Sequence, residues 1–358
     1  MLLTVKYLFV NGNCPKKETL THWIKGSTEM YVRASIGTLA SLGLLDIKML
    51  EKPYTAYILQ YSENGCEAEC LFCPQSRVNF SRKDLVSRVV WPRIELEKLI
   101  KAIKRKNVFA RICVQNVIKP SFEEEFLEII RNIRRSNIRT PLSASITPVS
   151  KELLIKLKEL GVDYLGVGLD AASPRVFKIV RKPFTWGKYM DFIRDGIEVF
   201  GLRKVDVHLI FGLGESEREF VETMKKIYEL GAEIALFAYT PVKGTLLNIK
   251  KQPPILSWRK MQIAKHLIES GQESKMFFVG DRVCFEKNFL QQLLKNLEKH
   301  VKLFLTTGCP SCNRPFYNES PKGPYYNFPS IPFAKERLAI IREDLEKIIV
   351  ECEKNGEC

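Results

Sequence analysis

The stretch that decides the fold runs from a β-rich segment, Thr55-Ala56-Tyr57-Ile58-Leu59-Gln60-Tyr61, into Gly65-Cys66-Glu67-Ala68-Glu69-Cys70-Leu71-Phe72-Cys73-Pro74. Its cysteines are spaced C-x3-C-x2-C, with no fourth cysteine nearby. Structural zinc sites want four ligands, usually in paired C-x2-C knuckles. Four thiolates would also saturate a [4Fe–4S] cluster. Three leave one iron open, just as an open position separates a catalytic zinc site from a structural one. Cys66, Cys70 and Cys73 are therefore candidate ligands of a metal centre with an open position, a [4Fe–4S] cluster before a zinc site, with chance clustering as the remaining alternative.

Outward from this loop, short β-rich runs alternate with amphipathic helical patterns. The strand candidates are Thr55–Tyr61, Phe109–Asn116, Ser143–Thr147, Tyr164–Leu169, Val205–Phe211 and Ile234–Tyr239. Ser121 with Glu124, and Ser216 with Glu219, have capping-box spacing. Gly161, Gly201 and Gly231 stand where helix C-caps are expected. Six βα units in series predict an α/β fold, a partial or near-complete (β/α) barrel with parallel strands and right-handed crossovers. Ligands of such sheets sit at the C-terminal ends of the strands. The organisation expected is an N-terminal extension over 1–53, a (β/α)6 core over 54–255 and a C-terminal extension over 256–358. The first extension carries a predicted helix around Tyr31–Leu45. The last carries helices near Ser257–Glu269, Phe285–Lys299 and Lys335–Lys354, with an apolar run at Met276–Val279.

Composition narrows the function classes. The net charge is +15, from 56 Lys+Arg against 41 Asp+Glu. The basic residues are dispersed and not interleaved with aromatics, so no nucleic-acid partner is expected. No run of about 18 apolar residues is present, so no membrane span is expected. Lys6 interrupts the apolar Met1–Val10, which reads as a strand or docking segment in a cytoplasmic protein, not as a signal peptide. Ten cysteines in 358 residues, in a reducing compartment, point to metal ligation rather than disulfides.

The C-x3-C-x2-C spacing, with Phe72 before the third cysteine, resembles the signature of the radical S-adenosylmethionine (SAM) superfamily. That resemblance implies SAM chelated at the open iron and cleaved reductively to a 5′-deoxyadenosyl radical. It also implies roles for further strand-end residues. Gly166-Val167-Gly168-Leu169-Asp170 looks like the ribose-binding strand end of biotin-synthase-like enzymes, with a turn aspartate as the alternative. Arg181 is a candidate for the methionine carboxylate or an ordinary surface arginine, and Ser145 ends the third strand. His208-Leu209-Ile210-Phe211-Gly212-Leu213-Gly214-Glu215 resembles the adenine-side G-x-I-x-G-x-G-E motif, with His208 in place of the first glycine and Ile210 on the adenine. Tyr239 precedes Pro241-Val242-Lys243-Gly244-Thr245, which resembles the segment closing the adenine pocket. Many members carry Gly-Gly-Glu at the end of the second strand. Here Val114-Gln115-Asn116 stands there, so Gln115 or Asn116 takes the methionine amine through an amide oxygen. Cys113 beside them is read as core.

A second motif, Gly308-Cys309-Pro310-Ser311-Cys312, is a half-site for iron–sulfur or zinc. Cys284 and Cys14 are the candidates to complete it, and Arg314 and Ser320 are conceivable non-thiol ligands. An auxiliary [4Fe–4S] cluster is expected, with a zinc knuckle or free thiols as alternatives. The runs Tyr31–Thr38, Cys73–Arg77, Ser87–Pro92, Cys309–Glu319 and Tyr326–Pro329 resemble the two-component lipoyl synthases of archaea. This resemblance implies sulfur insertion into an octanoyl chain on a lipoyl carrier protein, with the auxiliary cluster as sulfur source. It further implies a paralogous radical SAM partner and an electron donor such as ferredoxin.

Overall fold

The computed structural model describes residues 29–355. In chain order its strands are β1 (Tyr31–Ala34), β2 (Thr55–Gln60), β3 (Leu85–Val86), β4 (Val89–Val90), β5 (Arg93–Glu95), β6 (Arg111–Gln115), β7 (Leu142–Ser145), β8 (Tyr164–Asp170), β9 (Val205–Phe211), β10 (Glu233–Ala238), β11 (Met276–Val279) and β12 (Arg282–Phe285). Eight of them form one sheet in the order β10-β9-β8-β7-β6-β2-β1-β5. From β2 through β10 the pairing is parallel throughout. β1 and β5 extend the β2 side as antiparallel strands. Each of the six predicted strands falls on one of the parallel ones. Helices Leu96–Lys106, Phe122–Arg135, Lys151–Glu159, Trp186–Phe200 and Glu217–Glu229 alternate with them.

Side chains divide by the two-residue period of a strand. On β6, Ile112 and Val114 join the large core between sheet and helices. Cys113, between them, joins a separate interior cluster with Tyr57, Leu59, Trp91, Val117 and Tyr317. The strand order is open, which leaves β10 with a free edge, and the C-terminal segment covers that edge. The Leu236 N–H donates to Thr307 Oγ1 at 2.8 Å, and Asn318 Nδ2 donates to the Ala238 carbonyl at 2.8 Å. Side-chain pairing of this kind protects an edge from partners.

Three local expectations are corrected. Tyr31–Leu45 is not one helix: Tyr31–Ala34 pairs with β2 and β5, and a short helix, Ile36–Ser41, follows with Ser35 as its cap. A β-prone Tyr-Val pair with strand neighbours on both sides outweighs helix pattern there. Ser121 makes no cap hydrogen bond, because its φ of 54° turns the backbone into the left-handed region. The capping box at Ser216 and Glu219 does form. The helix near Phe285–Lys299 is broken at Asn296 into Lys287–Lys295 and Leu297–His300. Among the described residues no helix is long and apolar enough to cross a membrane. Met1–Val10, Cys14 and Cys358 lie outside the described residues.

Candidate active site

The cysteine loop leaves the C-terminal end of β2 and is fixed by side chains that come after it in sequence. Asn79 Nδ2 donates to the carbonyls of Cys73 at 2.7 Å, Cys70 at 3.1 Å and Leu71 at 3.3 Å. Lys83 Nζ reaches the carbonyls of Pro74, Ser76 and Asn79. The Cys66 N–H donates to the Gln75 carbonyl at 2.6 Å, and Cys66 Sγ accepts from the Ile118 N–H at 3.2 Å. Gly244 lies on this loop: a Cβ there would stand 2.7 Å from the Ser81 nitrogen, and its φ is +87°. Only glycine meets both demands. The Pro241–Thr245 segment thus packs on the cysteine loop.

Burial pushes the Cys70 thiol up to about 11, against the charge of Lys182. Burial, and then the charges of Cys70 and Cys66, push Cys73 up to about 12. Buried thiols held up in this way become thiolates only when a cation neutralises them, which is the chemistry of a metal-ligand set. Thiols on one loop are the donor type an iron–sulfur cluster takes, although among the described residues no three His, Cys, Asp or Glu side chains are set as the ligands of a single metal ion.

Around this loop the strand ends bring together most of the predicted residues. Asp170, at φ 65°, ends β8 and is ion-paired with Lys182 at 2.5 Å. Lys182 also donates to the Gly168 carbonyl at 2.7 Å and lies over the rings of Phe72 and Tyr189. Burial alone would lower its pKa; the Asp170 carboxylate dominates, and the ammonium is held charged well above its ordinary range. Neighbouring Arg181 is exposed. Asn116 Oδ1 accepts from the Thr147 N–H, while its buried Nδ2 has no hydrogen-bond partner. Ser145 and His208 flank Gly166, where a Cβ would meet Ser145 Oγ at 3.1 Å and His208 Nε2 at 3.3 Å. Ile210 and Gln115 are half-buried at the ends of β9 and β6. Glu215 folds back so that Oε1 accepts from the Gly212 N–H at 2.5 Å, closing the glycine-rich turn.

The second motif sits at the other end of the same interior. Thr55 Oγ1 donates to the Ser311 carbonyl at 2.9 Å, and Arg111 Nε donates to the Pro310 carbonyl at 2.9 Å. Arg111 also holds Asp163 through two hydrogen bonds, at 2.6 and 3.0 Å. Since Thr55 and Arg111 begin their strands, the Cys309–Cys312 loop plugs the N-terminal ends of the sheet. The Tyr57 hydroxyl accepts from the N–H groups of Asn313 and Arg314 at 3.2 and 3.0 Å. It lies 3.5 Å from Cys312 Sγ, and Arg314 Nη1 donates to that sulfur at 3.2 Å. A hydrogen bond from Cys309, then the Arg314 charge and the Tyr57 hydroxyl, pull Cys312 down to about 5 against its burial. Ser311, Arg314 and Phe316 all have positive φ, at 69°, 29° and 61°. Non-glycine residues held there carry local strain of about 1–3 kcal/mol each, which surrounding contacts must offset.

Two predicted site residues are elsewhere. Tyr239 is 2% exposed in the sheet–helix core, with its hydroxyl on the Leu247 carbonyl. It props the loop after β10 and does not open to the cysteine site. Cys284, on β12, is hydrogen-bonded to Cys352 of the C-terminal helix, Leu338–Asn355, in the outer core. The sheet and its helices separate that core from the interior, so Cys284 is not a partner of Cys309 and Cys312. Asn79, Lys83 and Lys182 escaped the sequence reading. Their one signal was polar residues crowded within about a dozen positions of a cysteine loop or strand end.

Residues 62–227 match the family model for the Radical SAM superfamily. A biotin synthase of Hydrogenobaculum sp. is 26% identical over 225 residues, 61% of this chain and 66% of that protein. A ribosomal protein uS12 methylthiotransferase RimO of Methylorubrum extorquens is 30% identical over 259 residues, 66% of this chain and 56% of that protein. A lipoyl synthase of Corynebacterium glutamicum is 27% identical over 137 residues, 38% of this chain and 37% of that protein. The chain thus spans about two thirds or less of each of these relatives. The matched stretch includes the three-cysteine loop and stops short of the Cys309–Cys312 segment. Residues 62–227, just under half of the chain, are thus similar to the Radical SAM superfamily.

Proposed function

We propose that the chain is a sulfur-inserting radical SAM enzyme, one component of a lipoyl-synthase-type pair acting on an octanoyl chain borne by a carrier-protein lysine. One observation carries this reading. Cys66 and Cys312 both pack against a single interior cluster, Tyr57, Leu59, Trp91, Cys113, Val117 and Tyr317. Cys113 stands five residues before Ile118, whose N–H donates to Cys66 Sγ, so at most roughly 17 Å of chain lies between the two. A mostly apolar layer therefore lies between two cysteine groups, where it excludes water from a reactive carbon.

When bound, a [4Fe–4S] cluster with SAM supplies a radical able to take hydrogen from an unactivated carbon, and an auxiliary cluster supplies the sulfide that joins it. Cys66, Cys70 and Cys73 would hold the first, and Cys309 and Cys312 the second. Asp170 offers a carboxylate oxygen toward ribose hydroxyls while Lys182 fixes its orientation. Asn116, Gln115 and Ser145 present polar groups toward the methionine end. A cavity of about 290 Å³ leads inward between Ile36, Met49, Leu50, Val89 and Phe316 to Tyr57 and Tyr317. Its lining suits an unbranched acyl chain. Lys48 and Arg88 at its mouth, with the +15 net charge, suit an acidic carrier through steering.

The test is anaerobic incubation of the reconstituted chain with octanoylated carrier domain, SAM and reduced ferredoxin, with and without the paralogous component. A carrier mass increased by one or two sulfur atoms is expected. Formation of 5′-deoxyadenosine with no sulfur gain in either arm overturns the lipoyl reading and leaves the superfamily assignment intact. A parallel arm with dethiobiotin tests biotin-type insertion.

A further inference from the structure

The Cys309–Cys312 pair supplies two thiols, and a cluster site needs more donors than that. Cys284 is excluded by its place beside Cys352 in the outer core. The interior contains another thiol, from a different part of the chain. Cys113 is the middle residue of β6, and its strand neighbours Ile112 and Val114 both turn toward the helices. Cys113 itself turns inward and joins the cluster on which Cys312 packs. Polar groups of the C-x2-C loop and its neighbours stand close to that apolar cluster. Arg111 stands two residues before it on the same face and grips the Pro310 carbonyl inside the C-x2-C loop. Ser143 Oγ, on adjacent β7, is 3.3 Å from Cys309 Sγ and also accepts from Arg111. β6 and β7 pair Cys113 with Ser143 directly. So the residue across from Cys113 touches one cysteine of the loop, while Cys113 shares an apolar cluster with the other.

Two further polar groups face the same space. Asp206 is 2% exposed and its Oδ1 has no hydrogen-bond partner among the described residues. The Arg314 guanidinium is buried at 8% exposure with Nε unpartnered, although Nη1 reaches Cys312 Sγ. Buried polar atoms without partners are uncommon, and each calls for an explanation such as an ion or ligand. An ordinary buried thiol would explain neither of them.

Resting on the auxiliary-cluster reading above, we infer that Cys113 is the third protein thiolate of that cluster, joining Cys309 and Cys312 from the barrel wall. Each thiol releases its proton on ligation, so no oxidant or reductant enters the assignment. One consequence follows for the fold. The C-terminal segment would be tied to β6 through iron, beyond its hydrogen bonds to Thr55, Tyr57 and Arg111.

The experiment isolates the second site by working in a Cys66→Ala/Cys70→Ala/Cys73→Ala background, reconstituted anaerobically. Iron and sulfide content and the electron paramagnetic resonance spectrum of the reduced protein are read. Adding Cys113→Ala should remove most of the remaining iron, and Cys113→Ser should shift the spectrum. Cys284→Ala, a buried thiol outside the site, should change neither. Full iron content with an unaltered spectrum in both Cys113 variants overturns the ligand assignment. If Cys309→Ala/Cys312→Ala also keeps its iron, the auxiliary cluster itself falls, so the two failures are distinguishable. In the otherwise unsubstituted chain, Cys113→Ala should still cleave SAM to 5′-deoxyadenosine, which separates loss of a ligand from loss of the fold. Loss of that activity together with loss of the folded circular-dichroism spectrum in both Cys113 variants would make the residue structural and also overturn the proposal.

Discussion

Asn79 ties the Cys73 carbonyl to the strand-end loop of β10: its Nδ2 donates to Cys73 at 2.7 Å while its Oδ1 accepts from the Leu246 N–H at 2.9 Å. One side chain thus clamps the cysteine loop between its own turn and a segment 167 residues away. Asn79→Ala removes these bonds and leaves buried backbone groups unpaired, at a cost of about 2–4 kcal/mol. Chemical denaturation of the reconstituted protein should register this loss. Iron bound at the three-cysteine loop should be released faster to a chelator, while Asn79→Asp, which keeps the acceptor, should be intermediate. Equal release rates for Asn79→Ala and the unsubstituted protein would refute the clamp.

Lys182 and Asp170 form a buried pair, with side-chain exposures of 6% and 16%. Breaking such a pair by removing one partner typically costs about 3–5 kcal/mol, because a buried charge is left alone. Lys182→Met should therefore lower stability, and Lys182→Met/Asp170→Leu should regain much of it. SAM binding, measured by equilibrium dialysis, should behave differently. It should be weakened in Lys182→Met and not rescued in the double variant, since the carboxylate proposed to meet the ribose is then gone. Rescue of both stability and SAM binding would make the pair purely structural.

These two clamps show what the sequence could and could not disclose. Cys66, Cys70 and Cys73 stand out in the sequence because their close spacing puts three thiols on the one loop that follows β2. The six parallel strands were legible because alternation and run length report burial. Asn79 and Lys182 were not, because their partners Leu246 and Asp170 are set by loop conformation and not by period. Cys113 reads as core in a strand of apolar neighbours; only the interior plug, nearly two hundred residues on, gives it company. Tyr239 failed for the opposite reason. Its place next to a recognisable segment suggested a site role, whereas β10 ends at Ala238 and the chain beyond it turns the Tyr239 ring, out of step with the strand period, into the same outer core as Leu236 and Ala238.

Glu319 is 3% exposed, and burial raises its carboxyl to about 8, against the Asn327 N–H and the charges of Arg314, Arg259 and Arg88. An acid raised in the folded state stabilises the fold only while protonated. Its contribution is full below the ordinary carboxylate value of 4.5 and is lost as pH rises toward about 8. Melting temperature should decline across that window by several degrees more in the unsubstituted protein than in Glu319→Gln, whose amide does not titrate. Parallel pH profiles for the two would assign the decline to other groups.

The cavity between the Ile36–Pro53 segment and the β3–β4 hairpin offers the last test, because it separates substrate entry from radical generation. Val89 lines this cavity and also packs against the interior cluster around Tyr57 and Tyr317. It is half-buried on the two-residue strand β4, so a larger side chain there can grow into the cavity with little strain on the sheet. Val89→Phe should shorten the usable channel without touching Cys66, Cys70, Cys73 or Asp170. Reductive cleavage of SAM in the absence of carrier should stay within about twofold, since no residue placed at that site has changed. Turnover of octanoylated carrier should drop by tenfold or more, the scale expected when about 1.4 kcal/mol of acyl-chain contact is lost. A hexanoylated carrier should lose less, because its shorter chain needs less of the channel. Equal losses for both chain lengths would mean that the acyl group enters elsewhere, and a fall in SAM cleavage would mean that the hairpin shapes the radical site itself.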